Sequence, residues 1–279
     1  MYVGGATADL PLKRQIYTNQ GETKMTISNQ FPILEFDPVT TAKIGPSKVI
    51  SKQDVPKVCV IAFFRDVVEH KVQTEQLKEI VPFRISFVTL PIYEAVVQSV
   101  RVGLVVGFWG APGAARQLED LIAMGFEKFI VCGGAGVLQK GMQLGDFVLP
   151  YAAVRDEGVS YHYLKPSREV ACNAYALSVL ENKLKDDNFP YIKAKTWTTD
   201  APYRETEAKI ALRVAEGCHT VEMEAAALFA VAQFRNVVLG QVLFCGDDLS
   251  GKEWNYRNWS KESARFALVD WCLEAAALL

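Results

Sequence analysis

The chain has 279 residues, half of them hydrophobic and 22% charged, which is ordinary globular composition and enough for one large α/β domain with a sizeable core. A formal charge of −2 and a pI near 6.0 give no broad basic field, which argues against nucleic acid or an anionic membrane surface and favours a small soluble partner. The six cysteines form no CxxC pair and no Cys/His cluster at zinc spacing, so no metal is expected, and those in apolar runs read as reduced, buried thiols of a cytoplasmic protein.

In chain order, residues 1–24 mix Gly, Thr, Gln and charges without period and read as a mobile N-terminal extension with no signal peptide, ahead of a single domain over 25–279. Short β-rich runs follow at 58–64, 85–90, 101–106, 128–132, 146–149, 193–198 and 237–244. Helical spacing marks 113–124 and 224–234. The apolar stretch 102–115 is broken by Gly103, Gly107, Gly110, Pro112 and Gly113, so it is no membrane span. The alternation predicts an α/β fold of three layers, αβα, a mixed twisted sheet flanked by helices with ligands gathered beyond the strand ends.

Two glycine-rich turns leave predicted strands, Gly107-Phe108-Trp109-Gly110-Ala111-Pro112-Gly113 and Cys132-Gly133-Gly134-Ala135-Gly136. Glycines let backbone approach a ligand closely and turn N–H groups toward an anion. Two carboxylates one residue apart, in Val221-Glu222-Met223-Glu224-Ala225, stand where an extended segment enters a helix, and a carboxylate can accept from two neighbouring hydroxyls of a sugar. After the next apolar run, Cys245-Gly246-Asp247-Asp248 supplies an acid.

Together these segments resemble the nucleoside phosphorylase and nucleosidase family, over residues 58–250. The resemblance implies that Glu224 accepts from the 2′ and 3′ hydroxyls, Met223 contacts the ribose and Glu222 supports both. It also implies that Tyr203 stacks on the base, Arg155 and Gly134 line the nucleoside site, and Asp247, assisted by Arg257, protonates the departing base. Gly110, Gly133 and Arg65 would hold phosphate, the co-substrate, with no cofactor. His162 is a weaker candidate, for completing a neighbour's pocket in a homo-oligomer, a dimer or a hexamer of dimers.

The chain departs from the family at four places, one of them Gly246 where the family has a polar Ser beside the acid. Val131 stands where phosphorolytic members have a strand arginine, Phe63-Phe64-Arg65-Asp66 replaces their Gly-Asp-Pro-x-x-Arg, and Glu205-Thr206-Glu207 replaces the Gln-x-Arg that reads uracil. The expected activity is still phosphorolysis of a purine or pyrimidine nucleoside, because Arg65 can chelate an anion in fork geometry and glycine N–H groups can share the load. The alternatives are hydrolysis, with Asp66 and Glu69 near the water, and nucleoside binding without turnover.

Overall fold

The computed structural model describes residues 18–19, 22–23, 27–75, 77–85, 88–259 and 262–279. Of the extension read over 1–24, the described part pairs β1 (Thr18–Asn19) antiparallel with β2 (Glu22–Thr23); the rest lies outside the described residues.

One mixed sheet organises the chain. Its strands are β3 (Val58–Ala62), β4 (Lys78–Ile85), β5 (Val88–Val97), β6 (Val100–Val106), β7 (Lys128–Val137), β8 (Phe147–Asp156), β9 (Glu169–Ala171), β10 (Tyr191–Thr199), β11 (Cys218–Glu222) and β12 (Val238–Asp248). In space they run β11-β10-β8-β12-β7-β3-β6-β5-β4, with β9 beside β8. Parallel pairings link β6, β3, β7 and β12, and likewise β8, β10 and β11, while β4, β5 and β6 form an antiparallel meander.

The helices are α1 (Arg65–Glu75), α2 (Ala111–Met124), α3 (Ala174–Asp186), α4 (Glu207–Ala215), α5 (Ala225–Arg235) and α6 (Glu262–Ala276). Strand alternation sorts the core into two layers. Cys59 and Ile61 of β3 and Phe129 and Val131 of β7 pack with α2 and α5. Val58, Val60, Ala62, Ile130 and Cys132 turn the other way, to α1, α3 and α6. A strand with apolar residues on both faces is what a sheet covered on both sides requires, and the predicted three layers are borne out.

Two differences from the sequence reading matter. The run at 85–90 is not one strand but the join of β4 and β5, which are eight and ten residues long. Pro82 and Pro91, opposite each other in that hairpin, interrupt the apolar pattern, and the sheet edge formed by β4 is where proline is tolerated. Helices α1, α3, α4 and α6 also went unread; their apolar faces are interleaved with charge.

The sheet also closes on itself. β11 pairs parallel with β10 and a second time, antiparallel, with β7, through Thr220↔Val137 and Val221↔Gly136, so β7, β12, β8, β10 and β11 form a small barrel. Gly136 permits the crossing. A Cβ there would stand 2.6 Å from Leu249 Cδ1 and 3.0 Å from Val221 Cγ1.

Candidate active site

A cavity of about 1030 Å³ opens beyond the ends of the parallel strands. Its walls include the Phe63–Asp66 segment after β3, Glu69, Leu90, Val106 to Trp109 at and after the end of β6, Gly133 and Gly134 in β7, Glu222 at the end of β11, and Met223 and Glu224 after it. Gln241 and Leu243 of β12, Tyr256 and Arg265 complete it.

The acidic segment is held from below and from the side. Glu222 Oε2 accepts from the Glu224 N–H at 2.7 Å and the Ala225 N–H at 2.6 Å, and its Oε1 accepts from the Thr198 hydroxyl at 2.6 Å. The same hydroxyl accepts the Ala226 N–H at 2.9 Å. These contacts satisfy N–H groups at the start of α5 that have no partner within the helix. Glu222 is thus committed to contacts within the protein. Glu224 reaches across the cavity instead: Oε1 accepts from the Gly110 N–H at 2.7 Å and Oε2 from the Met223 N–H at 3.3 Å. Gly110, with φ of 79° ahead of α2, adopts the left-handed geometry that glycine allows and points its N–H at the carboxylate.

Burial raises the pKa of both acids. Thr198 and backbone N–H groups oppose the rise at Glu222, and the Glu222 charge adds to it at Glu224. Two carboxyls this close in a buried site hold protons into the neutral range.

The run 132–136, expected as a turn, is strand and belongs to β7, and its Gly133 and the Gly107 after β6 admit an aromatic ring. A Cβ on Gly107 would lie 2.8 Å from the Phe63 ring and one on Gly133 would lie 3.2 Å from Phe63, so both glycines make room for that side chain as well as for a ligand. Arg65 lines the cavity, with its Nε donating to Glu69 Oε1 at 2.7 Å. Arg265 of α6 lines it too, with Nη1 between both oxygens of Asp66 at 2.9 and 3.0 Å. Sequence reading missed Arg265, which lies outside every motif and reaches the cavity only through the packing of α6.

Other expected site residues are not brought to this cavity. Arg155, next to last in β8, is buried and reaches into the loop that follows: Nε donates to Ser160 Oγ at 2.8 Å, Nη1 to Lys165 O and Ser167 Oγ at 2.7 Å, and its charge lies over the Tyr161 ring at 4.4 Å. It clamps that loop, and its five donors are largely spent there. Tyr203, in a short 3-10 turn begun by Pro202, is 98% exposed and lines neither this cavity nor its neighbour. The rings at the cavity are Phe63, Phe64, Phe108, Trp109 and Tyr256. His162 is exposed.

Arg257 pairs with Asp248 and donates to Met142 O at 3.1 Å, so among the described contacts its partner is Asp248 and not Asp247. Burial pushes the Asp248 carboxyl up, but hydrogen bonds from Ser250 and the Arg257 charge outweigh it and hold the group below the usual range. Asp247 sits at the barrel crossing, where a Cβ on Gly136 would lie 3.5 Å from its Oδ1, and its Oδ2 accepts the Trp254 indole N–H at 2.6 Å. It lines neither the main cavity nor a second one of about 830 Å³, which Glu205 and Trp254 help to line. Burial and the Asp247 charge raise the Glu205 carboxyl to about 7. The sequence reading treated Glu205 only as a departure from the uracil-reading pair.

The phosphorylase superfamily model matches residues 57–277. The chain belongs to the phosphorylase superfamily. Among curated relatives, a guanosine phosphorylase of Halorubrum lacusprofundi is 30% identical over 133 residues, 48% of this chain and 55% of that protein. A uridine phosphorylase of Treponema pallidum is 32% identical over 152 residues, 48% of this chain and 56% of that protein. The chain thus spans about half the length of these two relatives. Its fold is that of superfamily members: a uridine phosphorylase from Vibrio fischeri superposes with a TM-score of 0.70 at 20% identity, over 82% of this chain and 98% of that one. An AMP nucleosidase from Bacteroides thetaiotaomicron gives 0.64 at 21%, over 81% and 89%. Among the described residues no helix is long and apolar enough to cross a membrane.

Proposed function

We propose that the chain is a nucleoside phosphorylase that cleaves the N-glycosidic bond of a purine or pyrimidine nucleoside, giving free base and a pentose 1-phosphate. The observation that carries this reading is Glu224, a carboxyl group held by the Gly110 N–H in a cavity that Gly107, Gly133 and Gly134 also line. Each oxygen keeps acceptor capacity for a hydroxyl of a cis-diol, and Met223 lies beside it against the sugar. In this reading phosphate occupies the side of Gly133, Gly110 and Arg65. One phosphate oxygen bonds to the anomeric carbon, the C–N bond breaks, and its electrons leave with the base. A proton from the Asp247–Glu205 carboxyl pair neutralises that base once Trp254 swings clear, and Arg257, through Asp248, holds the segment that carries the acid.

Hydrolysis is the second reading, and a specific observation favours it: the guanidiniums at the cavity, Arg65 and Arg265, already face Glu69 and Asp66, which competes with a phosphate dianion. The test is a nucleoside panel, including guanosine and uridine, incubated with and without phosphate. Pentose 1-phosphate supports phosphorolysis, free pentose made without phosphate supports hydrolysis, and no product overturns both.

Trp109 at 80% exposure and the Trp254–Tyr256 pair leave aromatic surface near the cavity, and we take a second copy of the chain to cover it in a homo-oligomer of the cytoplasm. A monomeric mass in solution would refute that part.

A further inference from the structure

We propose that Gln241 positions the attacking oxygen in this glycosidic cleavage, an inference that rests on the reading above and adds a residue to it. Gln241 stands in β12, level with Val131 of β7, as the amide in a run that is otherwise apolar from Val238 to Phe244 apart from Gly240. It is 1% exposed and lines the main cavity, and its side-chain carbonyl has no hydrogen-bond partner. A buried amide oxygen left unpaired is destabilising, and in a native chain it marks a place where another molecule supplies the donor.

The charged groups around it are already engaged. Glu222 holds the start of α5, Glu224 holds Gly110, Arg65 faces Glu69 and Arg265 faces Asp66. Among the described side chains that line the cavity, Gln241 carries a buried acceptor with no hydrogen-bond partner at all.

Its place in the strand decides which part of a substrate it can meet. At about 3.3 Å per residue, the Cα atoms of Gln241 and Asp247 lie about 20 Å apart along β12, too far for one to share the base with the other. Two residues on, Leu243 is level with Gly133, so the amide sits just below the glycine floor. With the 2′ and 3′ hydroxyls taken by Glu224, the partner left for Gln241 is the oxygen poised under the anomeric carbon. Water and hydrogen phosphate both carry the O–H that the carbonyl lacks.

The full-length chain and its Gln241→Leu and Gln241→Glu variants test this by initial rates at varied nucleoside and varied inorganic phosphate, and without phosphate. Leucine keeps the volume and removes the acceptor. The expected result for Gln241→Leu is about a tenfold rise in the KM for phosphate, or a tenfold slower phosphate-free reaction, with nucleoside KM changed less than about twofold and the thermal midpoint kept. Gln241→Glu separates the two nucleophiles: a carboxylate repels phosphate and weakens it further, whereas it accepts from water and runs faster than Gln241→Leu.

The assignment is overturned by unchanged kinetics in Gln241→Leu, by an equal loss of nucleoside affinity, or by an effect that vanishes with a 5′-deoxynucleoside, which would give the amide to the 5′ hydroxyl. If the wild type converts no nucleoside, the parent reading fails separately. Calorimetric binding of inorganic phosphate then judges Gln241: a tenfold loss in Gln241→Leu supports it and equal affinity overturns it.

Discussion

The regions around Glu224 and Asp247 are built on opposite plans. Around Glu224 a strand end and the starts of α5 and α2 meet, and backbone N–H groups reach both oxygens of Glu222 and Glu224 or their hydroxyl partner Thr198. Around Asp247 the partners are mostly side chains on connecting segments, Trp254 on Asp247 and Arg257 on Asp248, with one backbone N–H, that of Ser250, on Asp248, and Tyr203 stands in solvent. Backbone fixes the first region, while rotamers set the second. A pocket organised this way keeps one half of its ligand constant and leaves the other half to segments that vary and move.

The sharpest test of that contrast is chemical. Asp247→Asn removes the acid without changing its shape, and kcat for nucleoside cleavage is expected to fall by about 10²–10⁴ while equilibrium affinity for the nucleoside changes little. Equal kcat in the variant would remove Asp247 from the mechanism. Glu224→Gln replaces one carboxyl oxygen by an amide donor and is expected to reduce kcat/KM by about 10- to 100-fold, through both KM and kcat, with a smaller loss for a 2′-deoxynucleoside. The same loss on both substrates would show that Glu224 holds no 2′ hydroxyl.

Titration sharpens the comparison next. Burial raises Glu222, Glu224 and, to about 7, Glu205, so the folded chain binds these protons more tightly than the unfolded chain does. The stability tied to them is complete below the ordinary carboxylate range and is lost as pH rises through the raised values. The thermal midpoint should therefore fall from about pH 5 to about pH 9, with a shallower slope in Glu224→Gln; a midpoint that climbs over that range contradicts the assignment. The smallest effect is expected from Trp254→Phe, which frees Asp247 Oδ2: a change of about two- to threefold in kcat/KM, read against an unchanged thermal midpoint. A loss as large as that of Asp247→Asn would make the indole part of the acid itself.

Much of the framework was legible from residue order, because alternation and glycine turns report backbone. The starts of β3, β7 and β12, the end of β6 and the start of α5 follow from the apolar runs, and the Glu222–Glu224 segment falls where an extended run meets small helix formers, but β7 and β12 run on through glycines that read as their ends, to Val137 and Asp248. What was not legible depends on tertiary distance. Arg155 has the composition of a ligand residue, yet Ser160, Lys165 and Ser167 claim it through a loop whose path no motif records. Arg257 stands beyond Asp247 in a way that suggested assistance, but a turn at Asn255, paired with Asp248, aims it at the neighbouring acid. Arg265 arrives from α6, and Glu205 acquires its chemistry only from burial beside Asp247. Gln241 did leave a signal, an amide inside a buried hydrophobic strand.

The double pairing of β11 carries a last consequence. Thr220 and Val221 are flanked by β10 on one side and β7 on the other, so this strand has no free edge from which to peel. Its amide protons should exchange with solvent only when the whole molecule opens, and the three residues that follow inherit that permanence. New substrate preferences in this scaffold are accordingly cheaper to acquire by resculpting the segments after β10 and β12 than by touching the strand that anchors the acidic clasp.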